Sequence, residues 1–535
     1  MAASVRDALR DPDSWLCAAA CLSIAFGCAQ LLAFSFGRDQ SIYAVVGQGI
    51  LHGQVPYRDL WDFKPPGIFF VYALAQALFG NTMLAPRLLE LGGLCVLLAC
   101  FLKLSHVFFG LRRVGLVGAA LAVIIYTQLD FWHTGQPESF AAFLTFVGLV
   151  FTVDQDAPSR RWIGWSVVGA AFGCAFLLKP HIGAAGLACA VYQARHEMER
   201  SGKRAAALKP LLVMSLAGVL PVALCAWWFH QRGAWASLKW TLFEFAPGYT
   251  RLGWPGHNAA ELYYSAIEEV LFRFSVPAGV GFLAAALPAI HSREREGIFL
   301  ALGVLAVQLA GVAIQSKFFQ YHFSPSLLLI SFIAGLGVYK LWRRCVASGP
   351  GGMLAFSSVL VVAMTMRLAV HDLPGDFWHR SAVRYQYLLG IGEYRARERM
   401  DSELYYVADY NLDADRRAAL QIHQRTNRND TIFVWGFEPA IYFLSDRKPA
   451  SRFIYNVAQR ATWERTRARL DLIRDLRAYR PAVIVVQQND FMPSVTGDEL
   501  DSKRALPGFP ELQGLMDDHY ALVDSIEDFQ LFEHR

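Results

Sequence analysis

The residues with the clearest chemical potential lie in one segment between Phe36 and Pro66, after the first long apolar run. Asp39 offers a carboxylate that can act as a general base and take the proton from an attacking hydroxyl. Lys64 offers an ammonium that can stabilise the charge developing on a departing phosphate. Together these two groups suit a reaction in which a hydroxyl attacks and a phosphate leaves.

Each of the two residues also has a purely structural interpretation. Asp39 is of a type favoured as a helix N-cap, and the residues after it form one apolar face of a short helix: Ile42, Val45, Val46 and Ile50. Lys64 could extend its ammonium to phospholipid headgroups, although the two prolines after it restrict its backbone to extended conformations. For Asp39 the capping and catalytic interpretations are compatible.

The order of residues in this segment carries a family resemblance. It reads D-Q-S-I-Y-A-V-V-G-Q-G-I-L-H-G-Q-V-P-Y-R-D-L-W-D-F-K-P-P-G from Asp39 to Gly67. The acid, the tyrosine, the glycine turn, P-Y-R-D and K-P-P resemble the GT-C membrane glycosyltransferases, whose relatives include the protein O-mannosyltransferases and the aminoarabinose transferases that modify lipid A. The resemblance implies a catalytic carboxylate at Asp39 and a phosphate-binding lysine at Lys64.

Further roles in this segment follow from the same resemblance. It implies sugar or acceptor contacts from Tyr43, Tyr57 and Asp59, although Asp59 also suits a structural salt bridge with Arg58 or Lys64. The family pattern places Glu after the catalytic Asp, whereas this chain has Gln40. Because Gln adds no second negative charge, a divalent metal is possible but not favoured, and we predict no metal ligands and no certain cofactor.

Composition indicates a membrane protein. The 535 residues are 54% hydrophobic, 13% aromatic and only 18% charged, which is unusual for a soluble enzyme and typical of a polytopic α-helical membrane protein. The net charge of +5 gives no reason to expect nucleic acid as a partner, because membrane proteins collect Lys and Arg on their cytoplasmic loops.

A spanning helix needs roughly 20 apolar residues, and eleven segments are candidates, within an expected range of about 11 to 13 for the GT-C fold. They are 14–36, 84–109, 114–130, 138–153, 162–178, 181–194, 208–229, 271–290, 297–315, 322–342 and 350–370.

Basic residues cluster on alternate loops between these segments, for example Arg112 and Arg113 on one loop and Arg343 and Arg344 on another. The positive-inside rule then fits eleven spans, a cytoplasmic N-terminus and an outward C-terminus. Counting the short apolar stretch 67–79 as a further span would invert every later loop, so we predict that it lies at the membrane interface.

The chain changes character after Val370, because residues 371–535 contain no apolar run long enough to span. The short runs 431–435 and 482–486 predict strands, and 461–479 predicts a helix with Leu470, Ile473 and Leu476 on one face. We therefore predict a transmembrane domain, 1–370, with an outward catalytic loop, 37–85, and an extracytoplasmic α/β soluble domain, 371–535.

Other candidate residues lie at the outward ends of later segments. The resemblance implies that Glu138 contacts sugar or acceptor and that Lys179, Lys317 and His322 contact the donor phosphate. In the long loop 230–269, Arg251 could bind phosphate with two donors and Trp254 could stack on a sugar. Two of them have a structural alternative: Glu138 suits a first helical turn, and aromatic residues such as Trp254 are common at membrane interfaces.

The resemblance implies an inverting glycosyltransferase that moves a sugar from a polyprenyl-phosphate donor to a lipid, glycan or protein acceptor. The site would face the outer side of the bacterial cytoplasmic membrane. Two alternatives are a polytopic transporter or flippase and a ligase that moves a whole glycan. The transporter predicts ionisable groups deep within the spans, whereas here the charge collects at their ends; the ligase shares the architecture and differs in product mass.

Overall fold

The computed structural model of the protein describes residues 11–153, 158–273, 277–286, 292–365 and 376–535. Two compact units are formed by segments that alternate along the chain. The first, here called the helical unit, comprises Met1–Phe34, Arg87–Cys225 and Asn258–His371; the second, the mixed unit, comprises Ser35–Pro86, Ala226–His257 and Asp372–Arg535.

Helices dominate the chain up to residue 365. In chain order they are α1 (Pro12–Leu31), α2 (Arg38–Leu51), α3 (Gly67–Phe79), α4 (Leu84–Phe109), α5 (Arg112–Gln128), α6 (Asp130–His133), α7 (Pro137–Val153), α8 (Pro158–Leu178), α9 (Pro180–Ala184), α10 (Gly186–Ser201), α11 (Leu208–Gln231), α12 (Trp235–Lys239), α13 (Ala246–Arg251), α14 (Ala259–Arg273), α15 (Pro277–Ala285), α16 (Ser292–Gln315), α17 (Ser324–Ala347) and α18 (Pro350–Thr365). Shorter helical turns occupy Arg204–Ala207, Trp240–Phe245 and Gln320–Phe323.

Within the described residues, six helical segments are long and apolar enough to cross a membrane. They are Pro12–Leu31, Leu84–Phe109, Arg161–Leu178, Arg204–Gln231, Arg293–Gln315 and Gln320–Ala347. All six coincide with predicted spans, and they identify a multi-pass helical protein.

The remaining predicted spans are shorter or interrupted. The helices at 114–130 and 138–153 have 17 residues each, and the segment 181–194 is divided between α9 and α10. Parts of 271–290 and 350–370 lie outside the described residues. The total of eleven, like the interfacial placement of the 13-residue helix α3, therefore stays a prediction.

Small residues allow helices of the helical unit to approach closely. A Cβ on Gly335 of α17 would lie 2.6 Å from the Cα of Gly118 on α5, which is closer than any side chain allows. Such small-residue contacts are a common way for membrane helices to pack, because lipid provides no hydrophobic drive between them.

The C-terminal part of the mixed unit combines short helices with a sheet. Its helices are α19 (Phe377–Leu389), α20 (Arg397–Leu404), α21 (Leu412–Arg425), α22 (Ala440–Ser445), α23 (Val457–Arg460), α24 (Thr466–Tyr479), α25 (Pro493–Thr496), α26 (Ser502–Ala505) and α27 (Pro510–His519). Its strands are β1 (Tyr406–Val407), β2 (Tyr410–Asn411), β3 (Thr431–Trp435), β4 (Lys448–Pro449), β5 (Val483–Gln487), β6 (Tyr520–Ile526) and β7 (Phe529–His534).

The sheet has five strands in the order β4-β3-β5-β7-β6. Strand β3 is parallel to β4 and β5, and β7 is antiparallel to β5 and β6. Every residue of β5 is buried, as expected for an apolar, β-branched strand covered on both faces. The predicted strands at 431–435 and 482–486 are confirmed as the adjacent pair β3 and β5.

The helix predicted at 461–479 begins later, at Thr466, and its buried face differs from the prediction. Ile473 and Leu476 are buried, but Leu470 is 70% exposed and Leu472 is buried instead. The prediction for Leu470 is therefore wrong, because spacing of three residues alone drifts around a helix of 3.6 residues per turn.

Candidate active site

The start of α2 explains why the first acidic residue is available for chemistry. The helix begins at Arg38 with Gly37 as its N-cap, and the Gln40 side chain accepts a hydrogen bond from the Gly37 backbone N–H at 3.0 Å. Asp39 lies in the first turn, so the interpretation of Asp39 as the N-cap is wrong. The Gln40 side chain thus caps the start of the helix, a role that Glu or Gln can fill.

Asp39 and Lys64 form an ion pair. Lys64 Nζ lies 3.0 Å from Asp39 Oδ1, and the side chains are 12% and 21% exposed respectively. The ammonium also lies 5.2 Å from the ring centre of Tyr43 and 5.6 Å from that of Phe63, distances at which cation–π attraction contributes. The two residues predicted to take part in the reaction therefore meet in a partly buried site lined by aromatic rings.

Tyr57 fixes the backbone that carries Lys64. Its hydroxyl donates to the Lys64 carbonyl oxygen at 2.7 Å, and its ring lies 5.9 Å from that of Phe69. Tyr57 has a φ of 69°, a conformation that costs a non-glycine residue about 1–3 kcal/mol. Tyr57 and Tyr43 are both fully buried, so they contact Lys64 from the interior of the protein. Their contact with sugar stays a prediction.

Asp59 stabilises the turn before Lys64. Its carboxylate accepts from the Val55 backbone N–H at 2.8 Å and pairs with Arg58 at 2.7 Å. Burial raises the pKa of Asp59, but the bonds from Arg58 and Val55 outweigh burial and hold it below the ordinary value. The alternative of a structural salt bridge with Arg58 is thus confirmed.

The loop candidates Arg251 and Trp254 lie at and after the end of α13. Arg251 is exposed and Trp254 is half-buried in the turn that follows. On the same helix the Tyr249 ring lies 4.9 Å from the ring of Phe63. The structure thus brings this stretch to the first loop through Tyr249, and the phosphate and sugar roles of Arg251 and Trp254 stay predictions.

Three predicted residues of the helical unit meet in a second cluster, here called the helix cluster. Glu138, in the first turn of α7, is fully buried and lies 2.8 Å from Lys179 Nζ and 3.7 Å from His322 Nε2. Lys179 follows α8, and His322 lies in the turn before α17. Lys179 also donates to Gln315 Oε1 at 3.2 Å, so residues from four segments form one polar network.

Sequence reasoning missed a buried pair next to this cluster. Arg87 and Glu90 are fully buried on α4, 2.9 Å apart. Arg87 donates to Thr134 Oγ1 at 3.0 Å, and Glu90 accepts from the Gly135 N–H at 2.5 Å. They fix the loop that leads into Glu138. The sequence did contain a signal for this pair, since Arg87 and Glu90 are two charged residues three positions apart in an apolar helix. Ionisable residues within membrane spans usually have a structural or functional role.

Lys317 lies in a strained turn between α16 and the turn that contains His322. Its neighbours Ser316 and Phe318 have φ values of 54° and 33°, which non-glycine residues rarely adopt. Burial lowers the pKa of Lys317 to about 8. Its charge therefore changes within a range of pH that an enzyme can be assayed in.

Among the residues that the structure describes, no three His, Cys, Asp or Glu side chains form a group that could hold a metal ion. The ion pairs above place carboxylates against lysine and histidine.

Comparison with known proteins gives a consistent picture. Residues 63–228 match the family model described as dolichyl-phosphate-mannose-protein mannosyltransferase. Undecaprenyl phosphate-alpha-4-amino-4-deoxy-L-arabinose arabinosyl transferase 2 of Pseudomonas fluorescens (strain Pf0-1) is 32% identical over 151 residues. That stretch covers 26% of this chain and 27% of the relative, so the likeness spans about a quarter of either protein.

Two solved structures are similar along nearly the whole chain. They are ArnT from Cupriavidus metallidurans in the apo state, with a TM-score of 0.60, and the same protein bound to undecaprenyl phosphate, with a TM-score of 0.53. Each is 14% identical, with 96% of both chains covered. This chain therefore has the ArnT fold, and part of it is similar to the mannosyltransferases and aminoarabinose transferases that the sequence resembles.

Proposed function

We propose that this protein is an inverting membrane glycosyltransferase that moves one sugar from a polyprenyl-phosphate donor to a hydroxyl-bearing acceptor. The Asp39–Lys64 pair is the observation that carries the proposal, because it places a carboxylate that can act as a base 3.0 Å from an ammonium that can bind phosphate. The similar structure with bound undecaprenyl phosphate supports a lipid-phosphate donor.

In the proposed reaction the acceptor oxygen attacks the anomeric carbon from the side opposite the phosphate. Asp39 takes the proton of the acceptor hydroxyl as the new carbon–oxygen bond forms. The bond between the anomeric carbon and the phosphate oxygen breaks, and the polyprenyl phosphate leaves with that electron pair. Inversion of the anomeric centre follows from the single displacement.

Lys64 would stabilise the phosphate monoester as it departs. An ammonium has three N–H donors, so Lys64 can hold the Asp39 carboxylate and a phosphate oxygen together. Its position is set by Tyr57 and by the Tyr43 ring, and a donor fixed in advance costs no reorganisation during the reaction.

Lys179, Lys317, His322 and Arg251 are proposed contacts for the donor phosphate. Tyr43, Tyr57, Asp59, Glu138 and Trp254 remain proposed contacts for sugar or acceptor, and the burial of both tyrosines and of Glu138 favours indirect roles for these three. The proposed location is the bacterial inner membrane, with residues 371–535 on the periplasmic side. The acceptor is a lipid, a glycan or a protein.

The test is Asp39→Asn in the full-length protein reconstituted in lipid nanodiscs. With a polyprenyl-phosphate sugar labelled in the sugar and extracted membrane acceptors, we expect transfer to fall about 10²–10⁴-fold, as for loss of a general base. Asp517→Asn is the control, because Asp517 is exposed and contacts Gln513 on its own helix. Wild-type transfer in Asp39→Asn would exclude Asp39 as the base, and product mass separates one sugar from a whole glycan.

A further inference from the structure

The start of α2 is held by residues from the C-terminal part of the mixed unit. Arg38 is buried and lies 2.9 Å from Asp409 Oδ2. Its Nε donates to Glu438 Oε1 at 3.0 Å, and its Nη2 donates to the same oxygen. The Tyr410 hydroxyl donates to the Phe36 carbonyl oxygen at 2.8 Å. Because Asp39 follows Arg38 directly, these contacts fix the turn that aims its carboxylate.

Glu438 is itself fixed from within the sheet. Gln487, at the end of β5, donates to Glu438 Oε1 at 3.3 Å and accepts from the Phe437 backbone N–H at 2.7 Å. The Arg38 guanidinium lies 5.0 Å from the Phe437 ring centre. Arg38 is therefore attached, through Glu438, to a buried strand of the sheet.

The other end of the first loop is held by a second stretch, Arg452–Tyr455. The Trp61 backbone N–H donates to the Arg452 carbonyl oxygen at 2.7 Å, and Arg452 Nη1 donates to the Tyr57 carbonyl oxygen at 3.2 Å. The Tyr455 hydroxyl donates to Asp62 Oδ1 at 2.5 Å. These bonds fix the residues that come directly before Lys64.

We propose that the C-terminal part of the chain positions the catalytic pair, with Glu438 orienting Asp39 through Arg38 and Tyr455 orienting Lys64 through Asp62. The inference rests on the proposed function. Neither Glu438 nor Tyr455 touches the reacting atoms in this scheme; both are positioning residues. Buried ion pairs and hydrogen bonds suit this task because each has one well-defined geometry in a place that excludes water.

The test changes one polar group in each of the two positioning residues, Glu438 and Tyr455. Glu438→Gln keeps the shape and removes the charge, and Tyr455→Phe removes only the hydroxyl. In the full-length protein in nanodiscs we expect kcat to fall about 10- to 100-fold in each, as for a displacement of the reacting groups by about 1 Å. The KM values for donor and acceptor should stay close to wild type.

Two matched controls lie in the same part of the chain. Asp501 is buried, bonds the Arg504 backbone N–H at 2.7 Å and lies 3.5 Å from the Arg504 guanidinium. Tyr520 is buried and donates to the Pro481 carbonyl oxygen at 2.9 Å. Asp501→Asn and Tyr520→Phe should lower the melting temperature by similar amounts yet keep the wild-type kcat. Equal kcat values for test and control variants would overturn the inference.

A double variant separates positioning from loss of folding. If Glu438 acts through Asp39, adding Glu438→Gln to Asp39→Asn should cause no further loss of the residual rate. Independent, multiplicative losses would overturn the inference. If Glu438→Gln fails to fold, Arg38→Lys provides the same comparison, because it keeps the charge and loses the planar guanidinium that bonds both carboxylates.

The pH profile gives an independent measurement on Glu438. Burial raises the pKa of Glu438 to about 7, with Arg38 opposing the rise and Asp409 adding to it. Asp415 and Tyr410 also interact with it, and burial raises the pKa of both well above their usual values. Glu438 loses its charge as pH falls through about 7. We therefore expect kcat to fall on that acidic side in wild type but not in Glu438→Gln.

The outcomes distinguish the two proposals. If the wild-type protein transfers no sugar, the proposed function fails whatever Glu438 and Tyr455 do. If Asp39→Asn retains full transfer, Asp39 is not the base, and the orientation of Asp39 by Glu438 has no catalytic consequence. If Asp39→Asn is inactive while Glu438→Gln and Tyr455→Phe match their controls, only the positioning inference fails.

Discussion

The Asp39–Lys64 pair and the Glu138–Lys179 pair bring together the same charges at nearly the same distance, 3.0 and 2.8 Å. They differ in the carboxylate, because Asp39 is 21% exposed and Glu138 is fully buried. A partly exposed carboxylate can accept a hydrogen bond from a substrate hydroxyl while it keeps its lysine. A fully buried carboxylate depends on its partners, since an unpaired charge in a dry interior is costly.

The groups that hold the two ion pairs in place also differ. In the first loop, aromatic rings and backbone bonds hold Lys64. In the helix cluster, Glu138 and Lys179 hold each other in place. His322 lies beside Glu138, and Gln315 accepts a hydrogen bond from Lys179. We therefore expect changes in the first loop to affect mainly the rate and the loss of the buried Glu138 charge to affect mainly stability.

The strongest test of this contrast is Glu138→Gln. It leaves Lys179 without its buried counter-charge, which costs about 3–5 kcal/mol in comparable pairs. We expect a clearly lower melting temperature in nanodiscs and less folded protein. The double variant Glu138→Gln/Lys179→Met should recover part of the loss, because neither charge is then buried alone. Wild-type stability of the single variant Glu138→Gln would contradict the expected difference between the two ion pairs.

The second largest effect is expected for Lys64→Met. Removing a fixed cation from a developing phosphate charge typically costs about 10²–10³ in kcat, or about 2.7–4 kcal/mol of transition-state stabilisation. The melting temperature should change little because the pair is partly exposed. Transfer assays and thermal melting would be measured on Lys64→Met and on Lys448→Met, whose lysine is exposed on β4. A large loss of stability with unchanged kcat would reverse the assignment of rate and stability to the two regions.

The smallest expected effect concerns Lys317. Its ammonium is charged below a pKa of about 8 and neutral above it, so phosphate attraction should weaken as pH rises through that value. We expect the KM for the donor to increase above pH 8 in wild type, by at most about tenfold for each pH unit. Lys317→Arg stays charged in this range and should remove the increase. The same alkaline increase in Lys317→Arg would exclude Lys317 as its source.

Much of the fold was predictable because membrane helices and buried strands leave strong local patterns. The six long apolar helices and the strands β3 and β5 fall where hydropathy and β-branched runs predict them. Short or interrupted helices were harder. The division of 181–194 into α9 and α10 has no hydropathy signal, because both parts are equally apolar at their junction.

Within the site, residue types predicted the participants better than their roles. Asp39, Lys64, Glu138 and Lys179 were all predicted, and the structure pairs them. The capping role of Gln40 and the burial of Tyr43 and Tyr57 were not predictable, since both depend on side-chain directions. Arg38 was missed because its partners Asp409 and Glu438 lie far away in sequence.

By itself, the sequence determined that this is a helical membrane protein with a mixed C-terminal part, and that a carboxylate and a lysine in its first loop could serve phosphate chemistry. Those conclusions depend on composition, on local periodicity and on short motifs, which a linear chain displays directly. The tertiary structure alone decided that Asp39 meets Lys64, that Glu138 is buried against Lys179 and His322, and that Glu438 and Tyr455 hold the first loop. Such contacts join residues as many as 400 positions apart, and only the folded chain brings their charges close enough to interact.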